Sequence, residues 1–175
     1  MSFEIRTALP EDAQELAACH VSAWQAAYKG IVPAEHLRNM AANVTQRAEL
    51  FKERLKEKNC YYFLPTCNGK IIGMLVLWHS RDEDKPNTGE IGGFYLLEDF
   101  WGKGYGRKMM DFAQKQLNDM GYTEIFLWVL DENTRARRFY EKCGFTVDGA
   151  QKEIIIGGIP LIEVRYVIFG HGTTH

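Results

Sequence analysis

The chain has 175 residues, 46% of them hydrophobic and 25% charged, with a formal net charge of -2. That length suits a single full core, since a chain of this size buries roughly 70% of its unfolded surface, and the near-neutral charge gives no reason to expect nucleic acid or an anionic membrane as a main partner. No run of about 18 apolar residues is present and the start carries Glu4 and Arg6, so neither a membrane span nor a signal peptide is expected, and the cytoplasm is the expected location.

Apolar periodicity predicts a short strand over 3–7, a helix over 11–27, a second short helix over 34–40, and a third over 44–58 with Leu50, Phe51 and Leu55 turned inward. The pattern then becomes extended. Strands over 60–66 and 70–78 flank Asn68-Gly69, a strong two-residue hairpin signal, and the polar run SRDEDKPNT at 80–88 reads as a solvated loop. A strand over 90–97 enters a loop with glycine at 102, 104 and 106, and a helix over 107–120 follows with Met110, Ala113, Leu117 and Met120 toward the sheet. A strand over 125–130, a helix over 133–143 and a last pair of strands around Gly157-Gly158 complete an α/β order with a mixed sheet. Residues 1–170 read as one domain and 171–175 as a flexible tail.

Four cysteines, Cys19, Cys60, Cys67 and Cys143, form no C-x-x-C pair and have no histidine at metal spacing. They read as reduced core thiols, and no metal is expected.

The junction at 90–107 carries the first chemical signal. Glycines let a backbone approach a ligand closely, and the first N–H groups of a helix have no internal partner and favour negative charge. Lys103, Arg107 and Lys108 add positive charge there. The spacing is neither the phosphate loop of nucleotide triphosphatases nor the dinucleotide fingerprint, because glycine is absent at 107. The second signal is Asn133 to Phe145, NTRARRFYEKCGF, in which Ala136, Phe139, Tyr140 and Cys143 share one helix face while Arg135, Arg138, Glu141 and Lys142 point elsewhere. Asn133 suits an N-cap and Gly144 a left-handed helix end.

Together these segments resemble the GCN5-related N-acetyltransferase family, whose motifs are Q/R-x-x-G-x-G/A and, after a strand, N-x-x-A-x-x-F-Y-x-x-x-G-F. Trp101-Gly102-Lys103-Gly104-Tyr105-Gly106 matches the first motif apart from Trp101, and Asn133, Ala136, Phe139, Tyr140, Gly144 and Phe145 match the second. The first strand and helix entry, and the segment 24–37 (WQAAYKGIVPAEHL), also look like the family's N-terminal half.

That resemblance implies a mostly antiparallel twisted sheet of about seven strands, splayed between the fourth and fifth (90–97 and 124–130), with helices on both faces. It implies acetyl-CoA as cofactor, with CoA as product. The backbone around Phe94, Tyr95 and Leu96 would pair with the pantetheine arm. Gly102, Lys103, Gly104, Tyr105, Gly106, Arg107 and Lys108, with Trp101, would surround the pyrophosphate, and Asn133, Ala136, Phe139 and Tyr140 would complete the cofactor wall. Tyr140 is the implied acid for the leaving thiolate. Glu90 stands where the histone-acetylating branch carries its basic glutamate, and period-two spacing puts it on one face with Gly92 and Phe94; a solvated strand-end carboxylate is the other reading.

The acceptor is expected to be an amine of a small molecule or a peptide. Trp24, Tyr28 and Trp78 read either as an aromatic wall for it or as core. A homodimer through the final strands is a further expectation. Two other classes stay open: an acyl-CoA sensor or partner-binding module without catalysis, and a doubly wound nucleotide-binding protein, against which the missing early glycine fingerprint argues.

Overall fold

The computed structural model describes residues 2–57 and 61–170. Cys60, the end of the predicted third helix at Lys58, and the tail 171–175 lie outside the described residues. Strand β1 (Phe3–Thr7) leads to helices α1 (Ala13–Ala27), α2 (Ala34–Ala42) and α3 (Val44–Arg54). Strand β2 (Tyr61–Cys67) then turns at Asn68 and Gly69, whose φ of 50° and 79° are the left-handed pair that a tight hairpin needs, into β3 (Lys70–Ile71). The chain breaks step at Ile72 and resumes as β4 (Gly73–His79), so the predicted strand over 70–78 is two pieces. Strand β5 (Gly89–Leu96), helix α4 (Tyr105–Asp119), strand β6 (Glu124–Leu130), helix α5 (Thr134–Lys142) and the long hairpin β7 (Thr146–Ile156) and β8 (Ile159–Phe169) follow.

The strands form one sheet in the order β1-β2-β4-β5-β6-β8-β7, with β3 paired to β2. Every neighbour is antiparallel except β5 and β6, which run parallel because α4 connects them. One face carries α4 and α5, whose Met110, Ala113, Leu117, Tyr140 and Cys143 pack on Leu75, Leu77, Ile125, Leu127 and Tyr166. The other carries α1 and α3 over Leu64, Met74 and Val76, with α1 and α2 reaching Leu130 and Leu161. Cys19, Cys67 and Cys143 are buried free thiols.

Two inward assignments fail. Leu50 is 59% exposed while its neighbour Phe51 is buried, so α3 turns only one narrow stripe to the core. Met120, 40% exposed, caps α4 beyond its last turn and no longer follows the helical face.

The strand-face assignment of Glu90 also changes. Leu77 lies opposite Ile91, yet Val76 lies opposite Gly93, so β5 has one extra residue, Gly92. Such a bulge inverts the alternation beyond it. Glu90 therefore shares a face with Trp78, Gly93 and Tyr95, and Phe94 faces the opposite side with Ile91 and Leu75. Gly92 is also sterically required, because a Cβ there would come within 1.6 Å of Trp78 Nε1.

The polar run 80–88 is fastened rather than merely solvated. Arg165 on β8, with a side chain 5% exposed, donates through Nε to Asp148 (2.7 Å), through Nη1 to Asp82 (3.0 Å) and Asp84 (2.8 Å), and through Nη2 to Asp84 (2.6 Å). Trp128 Nε1 donates to the same Asp82 at 2.9 Å, and Lys85 pairs with Glu124. The carboxylates hold the Arg165 guanidinium firmly protonated. Replacing Arg165 with methionine leaves Asp82 without its cation and Asp148, among the described residues, with only Lys85 at 3.9 Å, so a loss of about 3 kcal/mol in urea unfolding is expected; a midpoint equal to wild type would show that the loop needs no such anchor.

Candidate active site

Strands β5 and β6 pair only through Gly89, Glu90 and Ile91 against Ile125, Phe126 and Leu127. Beyond that β5 continues to Leu96 and β6 to Leu130 without pairing to each other, because the Gly92 bulge turns β5 aside. A cleft of about 670 Å³ occupies the parting. Backbone groups left unpaired inside a protein are costly, so this edge can accept the backbone-like hydrogen bonds of an extended ligand.

At one end of the cleft stands the glycine loop. Gly102 and Gly104 have φ of 69° and 83°, a conformation that side chains resist, and a Cβ on either would meet nothing within 4 Å. Gly104 is the N-cap of α4. Among the described residues, the amides of Gly102, Lys103, Gly104, Gly106 and Arg107 make no backbone hydrogen bond. A Cβ added at Gly106 would lie 3.3 Å from the Phe139 ring, so the bare glycine lets α4 and α5 approach closely. Trp101 fixes the loop: its Nε1 donates to the Leu96 carbonyl at 2.8 Å and the Arg135 guanidinium lies 3.4 Å above its ring centroid.

Tyr140 lies at the middle of the cleft, 7% exposed and ringed by Phe94, Phe139, Phe145 and Tyr166 at centroid distances of 6.1, 5.5, 6.2 and 6.3 Å. The N-cap expected at Asn133 is present, its Oδ1 accepting from Ala136 N at 3.2 Å, and Gly144 takes its φ of 94° just past the helix end. Burial pushes the Tyr140 phenol above its ordinary range, with Tyr95 adding to this and Arg135 opposing it. Burial likewise weakens the proton hold of Arg135. Arg135 was expected to point away from this face, yet it lines the cleft.

On the far side, toward α1, Glu90 is 3% exposed and capped by Arg81: Nη2 donates to Oε1 at 2.6 Å, and Nε and the backbone N–H donate to Oε2 at 3.1 and 3.3 Å. Glu163 also lines the cleft and meets Lys152 Nζ only at 3.5 Å. Burial raises the Glu163 carboxyl above the usual carboxylate range and Glu90 adds to the rise, while Lys152 and Arg81 oppose it. The Tyr28 and Tyr95 phenols are both pushed up, by burial first.

Of the residues singled out by sequence, Phe94, Tyr95, Leu96, Trp101, Gly102, Gly104, Gly106, Arg107, Asn133, Ala136, Phe139, Tyr140, Glu90 and Tyr28 line this one cleft. Lys103 sits over the Phe100 ring and Lys108 over the rings of Phe3 and Tyr105, and the Tyr105 ring packs on Phe3, so these side chains point to the β1 edge. Trp24 lies behind Tyr28 and Tyr95 against His20, and Trp78 lies under the bulge. Among the charged residues lining the cleft, sequence reasoning missed Arg81, Arg135, Arg138, Lys142, Lys152 and Glu163; Arg138 and Lys142, like Arg135, were expected to point elsewhere. One signal was present for Glu163: two charges, Glu163 and Arg165, alternate within the otherwise apolar run IPLIEVRYVIF.

The profile of the acetyltransferase (GNAT) family matches residues 22–145. The chain belongs to that family. It is 27% identical to a probable N-acetyltransferase of Mycobacterium tuberculosis over 85% of its own length and 82% of that protein's, and 31% identical to the spermine/spermidine N(1)-acetyltransferase of Bacillus subtilis over 53% and 65%. In fold it is similar to the PaiA N-acetyltransferase of Thermoplasma acidophilum, a crystal structure in complex with coenzyme A, with a TM-score of 0.74, 23% identity and coverage of 93% and 98%. As a GNAT protein it is an acetyl-CoA-dependent N-acetyltransferase. The parted strands and the amide cradle fit that cofactor: an extended amide-bearing arm finds unpaired backbone, and a diphosphate finds free N–H groups at a helix start.

Because Gly104 has a positive φ and open space at its Cβ, valine there would strain the loop by about 1–3 kcal/mol and stand in the cradle. Titration calorimetry of Gly104→Val with coenzyme A is expected to show at least about a tenfold loss of affinity, equivalent to about 1.4 kcal/mol. Wild-type affinity in that variant would put the diphosphate elsewhere.

Proposed function

We propose that this GNAT enzyme moves the acetyl group of acetyl-CoA to a primary amine of a small molecule or peptide, by direct attack while both are bound. The observation that carries the reading is a tyrosine seated in the parting of β5 and β6, between a cradle of free amides on one side and two carboxylates on the other. Acetyl-CoA, when bound, supplies an electrophilic thioester carbonyl and a thiolate leaving group.

In this reading the amides of Gly102 to Arg107 hold the diphosphate with help from the Arg107 side chain, while the gap-facing backbone of Phe94, Tyr95 and Leu96 aligns the arm. Asn133, Ala136 and Phe139 wall it in. Tyr140 donates the proton to the departing sulfur. Its raised proton affinity keeps it protonated at working pH but makes that transfer more uphill than for a free phenol, near 10, against a thiol near 8.5. Arg135 offsets part of this by favouring the phenolate.

The acceptor's ammonium must lose a proton before it can attack, and Glu90 and Glu163 both line its side of the cleft. Aromatic Tyr28 together with these carboxylates suits a cationic amine, and the polyamine-acetylating relative from Bacillus subtilis supports that class of acceptor. Trp24 and Trp78 then act from behind, by fixing Tyr28 and the bulge. The same reading takes the three buried free cysteines as marks of a reducing compartment, the cytoplasm. It also pairs two copies through the exposed edge strand β7, which a sedimentation profile showing monomer alone at high concentration would rule out.

Thiol release from acetyl-CoA against a library of primary amines tests activity and finds the acceptor together. Coenzyme A binding without release across the library would favour the non-catalytic binding alternative. With an active amine, Tyr140→Phe is expected to lower kcat by about a hundredfold and leave the affinity for coenzyme A unchanged. Equal kcat in the two proteins would remove Tyr140 from proton transfer.

A further inference from the structure

Two carboxylates, Glu90 buried and Glu163 half-buried, face the acceptor side of the cleft, and their surroundings differ. Both oxygens of Glu90 are engaged by Arg81, whose guanidinium forks onto them at 2.6 and 3.1 Å while its backbone N–H adds a third donor at 3.3 Å. Arg81 is itself held in place, because it adjoins Asp82, which Arg165 and Trp128 fasten to the sheet. Both oxygens of Glu90 are thus occupied as acceptors of charge-assisted hydrogen bonds.

Glu163 has no such clamp. Its ion-pair partner, Lys152, reaches Oε2 at 3.5 Å, and Lys152 rests on the Trp128 ring 4.1 Å from its centroid. Register places Glu163 opposite Leu130, the last residue of β6 and part of the unpaired edge of the parting, and opposite Lys152 on β7. The titratable and charged groups facing it are Lys152 from β7, Glu90 and Tyr95 from β5, Arg81 from the loop before β5, and Tyr28 from the end of α1. Burial first, and Glu90 to a smaller extent, favour its protonated form, and Lys152 and Arg81 oppose it.

We infer that Glu163, and not Glu90, is the catalytic carboxylate that takes the proton from the acceptor ammonium. The inference rests on the acetyl-transfer reading. The first ammonium proton passes to a Glu163 oxygen, directly or through a water, and frees the nitrogen lone pair. The N–C bond then forms and the C–S bond breaks; the sulfur leaves with the bonding electrons and is protonated from Tyr140. The second proton that nitrogen sheds on becoming an amide restores the phenol, and Glu163 returns its proton to solvent. One proton is released per amide made. Glu90 with Arg81 shapes the mouth and, through its charge, keeps Glu163 a competent base.

The test compares Glu163→Gln, Glu90→Gln and Lys152→Met in coenzyme A calorimetry, in pH profiles of kcat/KM with the most active amine of the library, and in carbon-13 NMR titration of the glutamate carboxyls. All three variants should bind coenzyme A as wild type does. Glu163→Gln should lose about a hundredfold or more in kcat/KM together with the acidic limb. Glu90→Gln should keep the limb but move it to lower pH, since a neighbouring negative charge is gone, and Lys152→Met should move it to higher pH. The carboxyl signal absent from Glu163→Gln should titrate above the usual glutamate value of about 4.3. If Glu163→Gln does not fold, the opposite shifts in the other two variants still decide the matter. The inference is overturned if Glu90→Gln abolishes the limb, if Lys152→Met leaves it in place, or if the Glu163 carboxyl titrates at or below that value. Absence of turnover with every amine, despite coenzyme A binding, would overturn the acetyl-transfer reading and this inference with it, whereas limb changes confined to Glu90→Gln would overturn the inference alone.

Discussion

One extra residue in one strand sets the terms for the rest of the molecule. Gly92 has no partner on β4, so β5 twists away from β6 after three paired residues, and the exposed backbone edges of both strands become the walls of the cleft. The bulge persists because Trp78 fills the space beneath it, where a side chain on Gly92 would stand. It also decides which side chains meet: Glu90 is sent to the α1 face and Phe94 to the α5 face, so Glu90 and Tyr140 approach the same gap from opposite sides.

Around that gap, rigidity comes from few but well-connected contacts. Trp101 ties the glycine loop to β5 through the Leu96 carbonyl and to α5 through Arg135. The family motif has a glutamine or arginine where this chain has Trp101, and here the indole serves both as hydrogen-bond donor and as stacking platform. Arg165 performs a similar service on the other face, where one nearly buried guanidinium gathers Asp82, Asp84 and Asp148 and so holds the segment that carries Arg81. A buried arginine with three carboxylates is weak grounds for net stability, but it specifies where a loop must lie.

What could be read in the sequence was local. Asn68-Gly69, Asn133 and Gly144 announce a turn, a cap and a helix end because each requirement is met within a few residues. The glycine loop and the Tyr140 face were legible for the same reason, as spacing along one segment. What depended on register between distant strands was not. The bulge is visible only when β4 lies beside β5, so strict alternation misplaced Glu90. The run SRDEDKPNT looks like solvated charge until Arg165, far along the chain, arrives beside it. Leu50 and Met120 misled through helix ends and narrow stripes, where periodicity has few turns to work with. Glu163 was overlooked because a lone acid in an apolar strand shows its meaning only beside Glu90.

The cleft passes through the sheet, with Tyr140 and Phe139 of α5 on one side and Ala23 and Ala27 of α1 with Tyr28 at its C-cap on the other. In the proposed reaction, donor and acceptor would therefore come in by separate doors and meet at the threshold between the strands. Neither would have to cross the other's seat, so no sequence of arrival or departure would be imposed.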